Sequence, residues 1–396
     1  VTRTATRTPA RLDRRDLFGV AGWAVLVTTA GVVGWVMIDF FVGPNGPGAY
    51  TGWPPLWAKW APHVGPGTVP ALAVAVLVVL QGPQLAAKLR WKRLLLLAYV
   101  SSAAWIFFLA LVDGWDEGIA QRLTRNPEYL HDLPLIGDIG SFLAHFSEHI
   151  AASSQHPWTE HVAGHPAGAT LIFVVLDRVG LGGGAIGGMT CILVGASACV
   201  AVAVTLGALG AEQAARTSLP FAVLLPGAVW EGVSADAIFA AVAAWGVAAI
   251  AVGAAGRGPW RDVSSLAGGV LLGYTLYLSY GLILIGLLPL AVALVTRRVR
   301  PLVIGAVGVA AVVIAFSSTG FLWWEGLAQL HGRYYGGIAG YRPYGYWVWA
   351  NLAALALAVG PAVFAGLARL SPARTFAQLA PGTALQSDSD CDNTAV

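Results

Sequence analysis

Residues 91–117 read WKRLLLLAYVSSAAWIFFLALVDGWDE. Lys92 and Arg93 open the stretch, an apolar run from Leu94 to Val112 follows, and Asp113-Gly114-Trp115-Asp116-Glu117 closes it. At 1.5 Å of rise per helical residue such a run reaches about 30 Å, the thickness of the hydrocarbon core of a bilayer. Apolar runs of the same kind recur at about 17–41, 69–88, 184–207, 218–232, 234–254, 262–278, 279–296, 302–320 and 347–369. They are continuous and lack the ten-residue alternation of a membrane barrel, so the pattern predicts an all-α polytopic transmembrane helical bundle of about ten spans. Composition agrees. Of 396 residues 57% are hydrophobic and 11% charged, with a mean hydropathy of +0.69. A soluble domain carries about 25% charged residues, and a disordered chain is more polar still. The net charge of +3 is small and dispersed, which gives no reason to expect nucleic-acid binding. Cys191, Cys199 and Cys391 supply no disulfide framework.

The basic residues orient the spans. With residues 1–16 as a cytoplasmic basic N-terminus, the cytoplasmic segments hold seventeen Lys and Arg. Six fall outside: Lys59, Arg122, Arg125, Arg178, Arg333 and Arg342. That is the positive-inside asymmetry, and it predicts a multi-pass protein of the plasma membrane with both termini cytoplasmic. Ala167–Val179 is apolar but short. As a further span it would place Arg297, Arg298 and Arg300 outside, so it reads as a juxtamembrane helix on the outer face. Arg14-Arg15-Asp16-Leu17-Phe18 is similar to a twin-arginine signal, but the long run after it has no small-residue cleavage site and reads as an anchor. The domain reading is therefore 1–16, a membrane domain over 17–369, and a disordered cytoplasmic tail over 370–396.

Charge concentrates in one place. Segment 113–183 holds nine of the twenty acids and six of the eight histidines, and it forms the large extracytoplasmic loop of the predicted topology. Amphipathic spacing of Phe142, Leu143, Phe146 and Ile150 predicts short helices lying on the membrane. Asp113 stands at the lip of the third span, where partial desolvation makes a carboxylate a better base; a plain helix-ending Asp-Gly turn is the competing reading. Asp132 is a second acid that could orient an acceptor sugar or a metal, or cap the next helix. His145-Phe146-Ser147-Glu148-His149 fits the inverted zinc-protease pattern, a five-residue pattern that also arises by chance in a His-rich loop. A second outer loop, 321–346, carries Arg333 and Arg342 among tyrosines. Arginine is a bidentate phosphate ligand, whereas aromatics at a span end also form an interfacial belt. Asp236, beside Ser234 at the turn after Glu231, is either a functional acid at the lip or a helix cap.

The segments Glu128-Tyr129-Leu130-His131-Asp132-Leu133-Pro134 and His161-Val162-Ala163-Gly164-His165-Pro166-Ala167-Gly168 carry a resemblance. With Asp113, the Ser234–Ala237 turn and Leu278-Ser279-Tyr280-Gly281, they resemble actinobacterial C-type (GT-C) membrane glycosyltransferases, closest to methylthioxylose transferase-like proteins. The resemblance covers roughly 95–370. It implies a GT-C helical fold and transfer of a sugar from a polyprenyl-phosphate donor to a cell-envelope glycan or lipoglycan on the outer face. Asp113 takes the catalytic position with Asp132 as companion. Tyr129, His165 and Asp236 lie in the matching segments as candidate substrate contacts, with Arg333 and Arg342 for the donor phosphate. No nucleotide cofactor is expected, because no glycine-rich strand–turn–helix is present; a divalent metal stays open. Two other classes remain in view, a transporter or flippase for a lipid-linked precursor and a non-catalytic assembly partner. Ionisable residues gathered on one face, rather than at mid-membrane, weigh against transport.

Overall fold

The computed structural model describes residues 13–41, 51–256 and 258–370. Residues 1–12 of the expected basic N-terminus and 371–396 of the expected tail lie outside the described residues. Within them the secondary structure is helical, apart from one isolated bridge between Trp53 and Leu56. Helices α1 (Arg14–Phe41), α2 (Thr68–Lys88) and α3 (Trp91–Ala110) precede four shorter ones: α4 (Tyr129–Asp132), α5 (Ile139–His145), α6 (Glu160–Gly164) and α7 (Ala167–Arg178). Next come α8 (Gly184–Ala196), α9 (Ala198–Ala208), α10 (Glu212–Val223), α11 (Ala228–Glu231), α12 (Ala235–Ala255) and α13 (Trp260–Leu276). The chain continues through α14 (Leu287–Thr296), α15 (Arg300–Ser318), α16 (Trp323–Gly336), α17 (Tyr344–Val359) and α18 (Pro361–Arg369).

Six helical segments are long and apolar enough to cross a bilayer: Arg14–Met37, Thr68–Lys88, Trp91–Asp113, Gly184–Ala208, Ala235–Ala255 and Arg300–Ser318. The protein is a membrane protein on that count. The remaining four expected spans differ in build. Segment 218–232 is divided, because α10 ends at Val223 and α11 begins at Ala228, with Pro226 between them. Segment 262–278 is the 17-residue α13. Segment 279–296 starts as a 3-10 stretch, Tyr280–Gly286, before α14. Segment 347–369 bends by 98° between α17 and α18, where Gly360 takes φ 77° and Pro361 opens the second helix.

Two compact units divide the chain, one from Val1–Ala58 with Tyr344–Val396 and the other from Lys59–Pro343. In the first, α1 packs on α17 and α18. Trp23 donates through Nε1 to the Ala356 carbonyl at 2.7 Å and Tyr346 through its hydroxyl to that of Ala30 at 3.2 Å. Arg369 pairs with Asp16.

The second unit is built around α12, which is buried on nearly every side. Small residues let its neighbours approach. Gly246 lies against Leu272, Gly253 against Ser265, and on the far side of α13 the backbone of Gly269 meets that of Gly305 in α15. One end of this unit is basic. There Arg216 donates to the carbonyls of Ala86 (2.7 Å) and Leu89 (2.9 Å), and Arg300 pairs with Asp262 at 2.6 Å. The opposite end carries segment 113–183, which folds as a packed cap. Its aromatic core runs through Phe142, Phe146 and Trp158 to Phe321. Helix α7 belongs to this cap: its first turn is buried, Gly168 accepts from the Tyr274 hydroxyl at 2.9 Å, and Arg178 donates to the Ile136 carbonyl.

Candidate functional site

At the capped end a cleft of about 620 Å³ opens between the end of α3, the 117–128 turns, α6 and the α11–α12 junction. Its polar lining comprises His63, Asp113, Glu117, Arg122, Arg125, Glu128, His161, Ser234 and Asp236, with Trp230 beside them. Backbone contacts that need glycine bring these groups together. Gly65 and Gly67 rest against the last turn of α3, where a methyl group on Gly67 would overlap the Phe108 carbonyl. The Gly67 amide donates to the Leu111 carbonyl at 3.2 Å. That contact seats His63 over Asp113.

His63 Nε2 lies 2.7 Å from Asp113 Oδ1, and His63 Nδ1 lies 2.9 Å from the Ala61 carbonyl oxygen. An imidazole with an acceptor at both nitrogens is favoured as the cation. Its pKa is accordingly raised, by the Ala61 carbonyl and then by Asp113. Both side chains are more than half exposed, so the pair is screened and adds little stability. A second carboxylate–imidazole pair faces the same cleft, with Glu128 Oε2 3.0 Å from His161 Nδ1. Glu128 is nearly buried and holds the His161 pKa up. Glu117 is paired with Arg125, which lowers its pKa. No hydrogen bond or ion pair engages the Arg122 side chain among the described residues.

Of the residues singled out in the sequence, Asp113 and Asp236 line the cleft. Asp236 also begins α12, accepting from the Ser234 hydroxyl at 2.9 Å. Tyr129 and His165 lie behind the lining, their rings 5.8 Å apart. Tyr129 is 2% exposed, and burial raises its pKa and lowers that of His165. Asp132 is placed elsewhere. It is 2% exposed, and its Oδ2 accepts from the amide (2.8 Å) and hydroxyl (2.9 Å) of Thr159, which fastens the start of α6. Arg333 spans from α16 to the carbonyls of Ile150 (2.8 Å) and Trp158 (2.9 Å) and holds the cap together. Neither Arg333 nor Arg342 lines the cleft.

His145 and His149 face a separate hollow of about 390 Å³ with Asp138 and Glu148. Their Nδ1 atoms are taken by the carbonyls of Ser141 and His156. Among the described residues no three His, Cys, Asp or Glu side chains converge as a metal-binding group.

Five contributors to the cleft were not singled out as site residues in the sequence: His63, Arg122 and Arg125, and the Glu128–His161 pair, whose members lie in the segments that carry the resemblance. Arg122 and Arg125 showed only as two of the few basic residues on the outer side. His63 sits in a Pro/Gly-rich loop fifty residues before Asp113, with no local pattern to mark it. No protein-family model matches the chain, and no curated protein or solved structure matches it either.

Proposed function

We propose that this protein is a membrane glycosyltransferase that moves a sugar from a polyprenyl-phosphate donor to a cell-envelope glycan or lipoglycan at the outer face. One observation carries the reading: the cleft at the lip of the spans combines an acid held by an imidazole, Asp113 with His63, and a cation, Arg122, that has no protein partner among the described residues. The segments that resemble GT-C transferases contribute Asp113, Glu128, His161 and Asp236 to this cleft, which supports the same reading.

Asp113 takes the proton of the acceptor hydroxyl as its oxygen attacks the anomeric carbon. The bond from that carbon to the phosphate oxygen breaks, and the leaving polyprenyl phosphate keeps the electron pair. Arg122 stabilises that anion, the task the sequence reading gave to Arg333 and Arg342. A lipid donor reaches the cleft sideways through the bilayer, and its chain supplies about 0.8 kcal/mol per buried CH₂.

The reading keeps the ten-span GT-C arrangement with both termini cytoplasmic. Supporting it, the 17 residues of α13 reach about 25 Å. The 3-10 stretch at Tyr280–Gly286 rises about 2 Å per residue, so with α14 it covers close to 30 Å. The test is an assay of purified protein with polyprenyl-phosphate sugars and sugar nucleotides as alternative donors and a lipoglycan acceptor. Transfer from the lipid donor, lost in Asp113→Asn, is expected. Transfer from the nucleotide donor alone would overturn the proposal.

A further inference from the structure

Two imidazoles face the cleft, and their bonding differs. His63 has an acceptor at each nitrogen, Ala61 O at 2.9 Å and Asp113 Oδ1 at 2.7 Å, so neither N–H is left for a ligand. His161 is held at one nitrogen only. Its Nδ1 meets Glu128, its backbone amide donates to the Pro127 carbonyl at 3.3 Å, and its carbonyl faces His165 Nδ1 at 2.8 Å. No protein group engages His161 Nε2 among the described residues, and the side chain is 46% exposed in the cleft lining. Glu128 is 11% exposed, and a carboxylate so far from water needs a proton-bearing partner. The imidazole is that partner, and the bond fixes which nitrogen points outward.

We propose that His161, oriented by Glu128, binds the phosphodiester of the ligand through Nε2–H, sharing that anion with Arg122. This rests on the reading of the cleft as the site of a phosphate-linked donor. The two cations differ in one respect: Arg122 is permanently charged, whereas His161 titrates. The charged and titratable groups around His161 are Glu128, Glu160, His165 and Tyr129 beside it, and Asp236 from α12. The rest of the cleft supplies Asp113, His63, Glu117, Arg122 and Arg125. Glu128 dominates and raises the His161 pKa above its ordinary 6.5 against the opposing effect of burial. Anion affinity is therefore full at acid pH and falls as pH rises through the raised pKa of His161.

Dibutyl phosphate is a suitable probe, because a phosphodiester keeps one negative charge across this range. Calorimetric titration of the full chain in detergent should show binding about tenfold weaker at about pH 8.5 than at about pH 6. His161→Gln should remove that step, Glu128→Gln should move its midpoint to lower pH, and His63→Gln should leave it in place. Thermal unfolding identifies folded variants, and His161→Asn replaces His161→Gln if the latter misfolds. A step that survives in the folded His161 variant, or vanishes in His63→Gln alone, would overturn the assignment. So would absence of binding in wild type. The donor assay separates this from the broader proposal. Probe binding with the expected pH step but no sugar transfer leaves the anion site standing and removes the transferase. Sugar transfer with a donor KM indifferent to His161 does the reverse.

Discussion

Asp113→Asn keeps the size of the side chain and a bond to His63 but takes away the basic oxygen pair. Transfer should fall by about 10²–10⁴ with expression unchanged, as read in the donor assay. Asp132→Ala should behave differently. It strands the part-buried Thr159 amide and hydroxyl, at a cost of about 1 kcal/mol or more. Lower thermal stability with near-normal turnover per folded molecule is expected; catalytic loss at full stability would return Asp132 to the chemistry. The His161–Glu128 pair also links stability to pH. The folded pKa of His161 lies above 6.5, so its contribution is complete below 6.5 and is lost as pH rises through the folded value. The fall in melting temperature between about pH 6 and about pH 8 should therefore be smaller in His161→Gln than in wild type. The effect is modest because the ring is half-exposed.

Among the elements, the junction of the 63–67 loop with the end of α3 is one of the close contacts that assemble the cleft. Gly67→Ala forces a methyl group into the Phe108 carbonyl, and a rigid backbone contact gives way only by separating the two segments. Overpacking of this kind costs about 1–3 kcal/mol, and here it should also draw His63 away from Asp113. Reduced transfer and a lower melting temperature are expected together. Gly332→Ala is the contrast, since nothing lies within 4 Å of a methyl group there and the residue is inside α16. It should stabilise by about 0.4–1 kcal/mol and leave transfer unchanged. Equal effects of the two substitutions would refute the steric account.

For the whole molecule, the charge asymmetry between the two ends of the larger unit sets a testable orientation. Cys191 and Cys199 are buried, which leaves Cys391 to report on the tail. An impermeant thiol reagent should label Cys391 only after the membrane is opened. Labelling in intact cells would invert the topology and put the cleft on the cytoplasmic side, where a nucleotide-linked donor becomes the better candidate.

Membrane helices at Thr68–Lys88, Trp91–Asp113, Gly184–Ala208, Ala235–Ala255 and Arg300–Ser318 were legible in the amino-acid order, because a span needs only a local run of apolar residues. The break at Pro226 and the bend at Gly360 were harder to read, since apolar residues continue on both sides of each. Asp113 and Asp236 were legible as acids at helix ends. Asp132 read there as a companion to Asp113, and it took the fold of segment 113–183 to bury one under Thr159 and leave the other open beside His63. His63, Asp113, Glu128, His161 and Asp236 come from five separate stretches. Hydropathy is set by neighbours in the chain, whereas a cleft is set by close backbone packing between distant segments, at contacts such as Gly67 on α3.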